Sequence, residues 1–263
     1  MKHESLLKRA IQAASLGVVL GFAAGSAIAA EGLNPHADEI LRAMSGHLAG
    51  LKAFSVSADI SNEILTREGQ KLQFNAHSDV LMERPSRFHV TRQGRFADAA
   101  LIYDGATLTL HGKILNAYVQ KDVQGTTDDA IRAVEQETGL ALPGADLLLA
   151  DPYAALSSGV VSSGYYGRAY VGGVETHHLA FRTPEVDWQI WVKAGDEPLP
   201  MKYVITTKWM TGAPQYSVQL SNWNTQPAIT PDRFTFVPPK GAERLEALPV
   251  DETGDIAGGQ GDK

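Results

Sequence analysis

The side chains that could do chemistry are scattered along this 263-residue chain and do not gather into a motif. His177-His178 is the most tempting pair for holding a metal or moving a proton. Adjacent residues on a strand point to opposite faces, so the two imidazoles do not chelate one ion. One exposed and one packed at a rim is the expectation. His36, His47, His77, His89 and His111 show neither H-x-x-x-H nor H-E-x-x-H spacing, which leaves only a composite site for a metal. Ser157-Ser158 and Ser162-Ser163 lack the G-x-S-x-G elbow of a nucleophilic serine. Asp128-Asp129 opens a predicted helix, where capping and the helix dipole account for both carboxylates. Glu185 and Asp187 share a strand face, but glycosidase carboxylates are assembled from separate strands, so this spacing is a weak sign of hydrolysis. Gly172-Gly173 marks a hairpin and not a phosphate loop, and no cofactor is expected.

The elements that would position these groups are mostly strands. Pro35–Leu51 carries Ile40, Leu41, Met44, Leu48 and Leu51 at helical spacing and predicts one amphipathic helix. From Lys52 the period becomes two. Phe54–Ser61, Leu72–Met82, Arg87–Arg92, Phe96–Tyr103, Thr107–His111 and Ile114–Gln120 form six strands, with Asp104-Gly105 the strongest hairpin signal. Thr126–Thr138 is a helix capped by Thr126 or Thr127. Ala145–Leu156 is a shorter helical segment broken by Pro152 and apolar on most sides, so it must be buried or cover a cavity. Strands resume at Gly159–Tyr170, Val174–Arg182, Val186–Lys193, Pro200–Trp209 and Pro214–Trp223, and Pro231–Val237 closes the fold.

The faces of these strands are consistent. Leu179, Phe181, Trp188, Ile190, Val192, Tyr203, Ile205, Tyr216, Val218 and Leu220 fall on one side. His178, Gln189, Lys202, Ser217 and Gln219 fall on the other, together with Trp191. Trp191 could stack on a sugar or a partner, or could be a rim aromatic packed against the helices. About eleven antiparallel strands with one apolar face each predict a mainly β (α+β) fold. The sheet would be strongly curved into an open or closed barrel, with an N-terminal helix and a mid-chain helical lid. Its interior would be lined by Phe74, Val80, Phe88, Val90, Leu101 and Tyr103 from the first strands. Phe181, Trp188, Ile190, Tyr203, Ile205, Tyr216 and Val218 would line it from the later strands, and Leu147, Leu148 and Tyr153 from the lid. A filled core and a cavity for an elongated apolar ligand both satisfy this pattern.

Composition sets the compartment and narrows the partners. Lys2, Lys8 and Arg9 precede an apolar run to Ala24, and Ala27-Ile28-Ala29 supplies a cleavage signature, so residues 1–29 are expected to be a secretory signal peptide. No stable transmembrane anchor is expected after cleavage. There is no Cys, hence no disulfide, thiolate metal site or lipid-bearing cysteine. The net charge is −7, and without the leader, which holds Lys2, Lys8 and Arg9 against Glu4, it is −9. An acidic chain without a basic stripe argues against nucleic acid and anionic lipid headgroups. Residues 30–240 make one domain, and 241–263 an acidic, Gly-rich, disordered tail.

The order of one helix, six strands, a helical insertion and five strands resembles the periplasmic lipoprotein-carrier fold of LolA and LolB. The hairpin around Leu101-Ile-Tyr-Asp-Gly-Ala-Thr-Leu-Thr-Leu110 does so too. His178-Leu-Ala-Phe-Arg182, Asp187-Trp-Gln-Ile-Trp-Val192, Pro198-Leu-Pro-Met-Lys-Tyr-Val204, Gly212-Ala-Pro-Gln-Tyr216 and Leu220-Ser-Asn-Trp-Asn224 resemble a family of predicted periplasmic proteins, domain of unknown function 2092. The resemblance implies an unclosed barrel, an open or half barrel of about eleven strands, with a helical lid and a hydrophobic cavity. With the signal peptide, it leads to the expectation of a non-catalytic periplasmic carrier for a lipid, an acyl chain or a lipidated protein. An envelope scaffold holding a protein partner, and a hydrolase with a composite site, are the other expectations.

Overall fold

The structure is a computed structural model that describes residues 32–95, 98–138 and 142–247. The expected signal peptide, Phe96-Ala97 and the last residues of the expected tail lie outside the described residues.

One helix precedes the sheet. α1 (Pro35–Gly50) starts where the Asn34 side chain accepts a hydrogen bond from the Ala37 backbone and Pro35 occupies its first turn. Ala37, Leu41, Met44 and Leu48 are buried along one stripe. Five antiparallel partners follow β1 (Ala53–Leu65) in sequence: β2 (Lys71–Glu83), β3 (Arg87–Gly94), β4 (Asp98–Tyr103), β5 (Thr107–Gly112) and β6 (Ala117–Asp122). The strand expected from Ile114 begins later. Asn116 takes a left-handed backbone (φ 48°), so Ile114 lies in a turn and is exposed.

α2 (Thr127–Thr138) is followed by a 3-10 turn at Ala145–Leu148 and by α3 (Pro152–Ser157). The expected break at Pro152 is a new start. Asp151 caps α3 by accepting from Ala154, and Pro152 occupies its first turn. The chain then runs through β7 (Ser162–Val171), β8 (Val174–Arg182), β9 (Val186–Lys193), β10 (Pro200–Thr207) and β11 (Gln215–Asn224). β10 ends before Trp209, which is 72% exposed and donates its indole N–H to the Pro184 carbonyl at 2.7 Å. The short closing segment expected at Pro231–Val237 begins with a 3-10 turn, Pro231–Phe234. A twelfth strand, β12 (Glu243–Arg244), pairs in parallel with β6 inside the stretch expected to be tail.

The twelve strands form one sheet in the order β12-β6-β5-β4-β3-β2-β1-β11-β10-β9-β8-β7. β1 and β11 join the two halves, with Ile60 opposite Val218 and Asn62 opposite Tyr216. The order has two ends, so the curved sheet is an unclosed barrel. The helices pack on its apolar side in one core that includes Leu41, Met44, Phe54, Trp188, Ile190 and Tyr203. The segment after β11 covers part of the opposite side. The His89 ring meets the Arg233 carbonyl at 3.0 Å, Phe236 lies 5.3 Å from His111 and 5.0 Å from Tyr118, and Phe234 is buried.

Candidate ligand-binding site on the concave face

Alternation along each strand sends one set of side chains inward, and the register stacks them in rows. Phe54, Met82, Phe88, Tyr103 and Leu108 are cross-strand neighbours from β1 to β5. All five are buried. The Tyr103 hydroxyl donates to the carbonyls of Val123 and Gly125, tying this row to the segment that enters α2. In the next row Val56 is buried, whereas Val80, Val90, Leu101 and Leu110 are only half-buried. Phe74, Ala76, Ile205 and Tyr216, further along the inward face, are half-buried as well.

The later strands differ. Leu179, Phe181, Trp188, Ile190 and Tyr203 are buried together, with Trp188 stacked on Phe181 at 4.0 Å and edge-on to Tyr203 at 5.7 Å. The inward face is therefore filled along β8 and β9 and at Tyr203 of β10, and incompletely covered along β2–β5 and at Ile205. The residues expected to line one cavity divide between these regions. Phe88, Tyr103, Leu147, Phe181, Trp188, Ile190, Tyr203 and Val218 belong to the packed core. Val80, Val90, Leu101, Leu148, Tyr153, Ile205 and Tyr216 border it and are partly accessible, as is Phe74.

The lid is held by polar contacts where its two pieces meet, at Ala150 and Tyr153. The Tyr153 hydroxyl donates to Asp38 on α1 at 2.6 Å, Arg42 lies 3.9 Å above the Tyr153 ring, and hydrogen bonds from Tyr153 and then Arg42 hold the Asp38 carboxyl below its ordinary value. Asp128 accepts from the Ala150 backbone at 3.0 Å. Just before these ties, Leu147 is buried and Leu148 and Leu149 are half-buried.

Polar groups also face the interior. Asp146, on the 3-10 turn, is buried, and desolvation together with the charge of Glu135 pushes its pKa up to about 6. Burial, then the charge of Asp146, raises the Tyr203 phenol well above its ordinary value. The Tyr203 hydroxyl and the Trp188 indole N–H have no hydrogen-bond partner among the described residues. Burial pushes Tyr216 up to about 12, partly opposed by the positive charge of Arg92. Arg92 shares the inward face of β3 with Phe88 and Val90, a placement the period of two contains and a search for apolar residues passes over. Asp146 carried no comparable signal, because its burial depends on the lid folding back over β10.

The residues weighed for catalysis serve the framework. His177 sits at the rim beside Tyr165 and His36, with ring centroids 5.8 and 6.4 Å away. His178 lies on the opposite face, against Trp191. Asp129 accepts from both the backbone and the hydroxyl of Thr126, closing the N-terminus of α2. Asp187 pairs with Arg182 at 3.0 Å and Lys208 at 3.4 Å, and Glu185 accepts from the Thr183 hydroxyl at 3.4 Å. Ser163 accepts from the Asn34 backbone, and Ser157 donates to the Tyr153 carbonyl. Among the described residues no group of three or more His, Cys, Asp or Glu could hold a metal ion, and no helix is long and apolar enough to cross a membrane.

Comparison with known proteins places this architecture. A family model described as predicted periplasmic protein (DUF2092) matches residues 37–248. No curated protein matches the chain. Among solved structures, an uncharacterized conserved protein from Thermus thermophilus is 10% identical, with a TM-score of 0.46 over 80% of this chain and 98% of that one. Lipoprotein LppX from Mycobacterium tuberculosis is 12% identical, with a TM-score of 0.42 over 75% of this chain and all of that one (100%). A LolA superfamily protein from Nitrosomonas europaea is 10% identical, with a TM-score of 0.36 over 76% of this chain and 97% of that one.

Proposed function

The chain belongs to the DUF2092 family of predicted periplasmic proteins, and from that premise we propose that it binds or carries a hydrophobic ligand on the concave face of its sheet. The ligand is a lipid, an acyl chain or the acyl part of a lipidated protein. The observation that carries this reading is the contrast along one inward face. Packing is complete along β8 and β9, while Val80, Val90 and Leu101, with Ile205 on β10, remain partly accessible beside the core. Clustered apolar side chains left in contact with water are a standing cost of about 25 cal/mol per Å2, and an apolar ligand removes it.

The unpartnered donors of Trp188 and Tyr203 support a ligand that also bears a carbonyl or hydroxyl oxygen. Function is then binding and release, with no cofactor and no catalytic step.

Native mass spectrometry of protein purified without detergent tests the reading. Bound lipid mass that organic extraction removes, followed by uptake of a fluorescent fatty-acid analogue, is the expected result. A bare chain that takes up no analogue overturns it. The filled region along β8 and β9 favours a second reading, an envelope scaffold, which predicts a protein partner retained after complete delipidation.

A further inference from the structure

The register of the sheet gathers one set of strand connections at one end. Leu65 pairs with Lys71, Gln93 with Asp98, Gly112 with Ala117, Thr206 with Gln215 and Arg182 with Asp187. Asn62 opposite Tyr216 and Thr207 opposite Val186 bring these hairpins to one level. The inward side chains nearest this end, Ile64, Leu72, Phe74 and Tyr216, are half-buried, whereas Phe54, Met82, Phe88 and Tyr103 at the other end are buried. The concave face therefore opens here. Six of the eight large apolar side chains exposed among the described residues stand at the same end. Leu33 precedes Asn34, whose backbone donates to Ser163, and Val161 enters β7 by donating to the Arg182 carbonyl. Trp209 and Met210 lie between β10 and β11, and Ile114 lies between β5 and β6. Val237 follows Phe236, which packs on His111 and Tyr118.

We propose that this apolar rim seats the protein on a bilayer of zwitterionic phospholipid, with the open end of the concave face against the membrane. An apolar ligand then passes between bilayer and sheet without crossing water; that use rests on the concave-face reading, whereas the docking itself does not. Trp209 is suited to the contact. Its indole N–H donates to the Pro184 carbonyl at 2.7 Å, which holds the ring outward and 72% exposed. Trp favours the membrane–water interface because its ring is apolar and its edge polar. The charges of the rim select the headgroup. Lys71 is paired with Glu63 at 3.1 Å, Lys113 with Asp98 at 2.7 Å and Lys208 with Asp187 at 3.4 Å, and Arg67 neighbours Glu68. Arg95 and Lys240 are two further cations, short of the cluster of about four or more that anionic lipid recognition takes. The net charge of −7 opposes an anionic surface as well.

A protein partner or a second copy fits less well. The core of a protein interface gathers its apolar side chains in one well-packed patch. Here five strands, β4, β3, β2, β1 and β11, separate Ile114 from Trp209, and the polar turn Thr66–Gln70 lies between them. β9 and β8 separate Trp209 from Val161. The side chains thus ring the opening singly. A bilayer has no fixed shape to match, so each can enter the headgroup layer by itself.

Flotation of the full chain with phosphatidylcholine vesicles tests the docking. Binding that saturates with lipid is expected. It should weaken about tenfold in Trp209→Ser/Met210→Ser and in Ile114→Ser/Val237→Ser, because each pair takes two side chains out of the buried apolar area. Tyr170→Ser, which removes a ring 72% exposed beside the Val171–Val174 hairpin at the far end, should change nothing. Phosphatidylglycerol in the vesicles should not strengthen binding. Circular dichroism on each variant separates lost docking from lost fold. No flotation, an equal loss in Tyr170→Ser, or indifference to both rim pairs overturns the proposal. Binding that needs phosphatidylglycerol and disappears in salt does the same, as does a dimer or protein complex that the rim substitutions dissociate while flotation persists. Uptake of the fatty-acid analogue in vesicle-free solution reads the concave face separately. The rim variants should keep it, and a chain that floats without taking it up leaves the docking standing and removes the concave-face reading.

Discussion

Tyr203 places a hydroxyl, and Trp188 an indole N–H, in a region with no protein partner among the described residues. A buried polar group left unpaired costs about 1–3 kcal/mol. Tyr203→Phe keeps the ring and removes the orphan, so the urea midpoint should rise by the equivalent of about 1 kcal/mol with an unchanged slope. A fall would mean that the hydroxyl is held by a bound molecule. Asp146 makes a pH-dependent counterpart. Its folded pKa, about 6, lies above its ordinary value of 3.8. Between those values the folded chain keeps a proton that the unfolded chain releases, so the contribution of Asp146 to stability falls as pH rises through that window. Asp146→Asn should therefore stabilise the fold by about 3 kcal/mol near pH 7.5 and change little near pH 4, measured by denaturant unfolding at both values.

At the scale of elements, the lid is two short pieces held by side chains at their ends. Neither the 3-10 turn Ala145–Leu148 nor α3 is long enough to be stable alone. Leu147 and Leu156 dock them on the core, while Leu148 and Leu149 remain partly accessible. Leu147→Asp buries an unpaired carboxylate and should lower stability by about 3 kcal/mol or more. Leu148→Asp should lower the melting temperature far less and reduce uptake of the fatty-acid analogue. Equal thermal losses in the two variants would make the lid ordinary core. α1 is docked more firmly, with Leu41, Met44 and Leu48 fully buried, and Leu41→Ala should cost about 3 kcal/mol in denaturant unfolding.

Across the whole molecule, one curved sheet presents two different surfaces. Its concave side is packed along β8 and β9 and accessible beside β2–β5, and its convex side is partly covered by the segment after β11. If the accessible apolar part is the ligand face, Val90→Asp and Leu101→Asp should abolish lipid retention in native mass spectrometry. Both positions border the core, so a fall of only about 1–2 kcal/mol in stability should accompany the loss.

Alternation over Phe54–Met82 and Leu179–Leu220, with Asp104-Gly105 and Gly172-Gly173 between strands, was enough to determine the antiparallel order and the inward face, because side-chain period and turn chemistry are local properties, whereas the unclosed curvature was implied by the family resemblance alone. Local signals also located α1, and they marked Pro152 as a break where α3 in fact starts. The entry to β6 and the exit from β10 were less legible: Ile114 and Trp209 are apolar enough to belong to a strand, and only the backbone turns at Asn116 and beyond Thr207 remove them. What tertiary structure alone decided was coverage. Trp188 and Val90 both face inward, yet only Trp188 is sealed, because burial depends on where the helices come to rest. The apolar rim from Val161 to Val237 likewise exists only through the register between strands, which brings residues far apart in the chain to one end of the sheet.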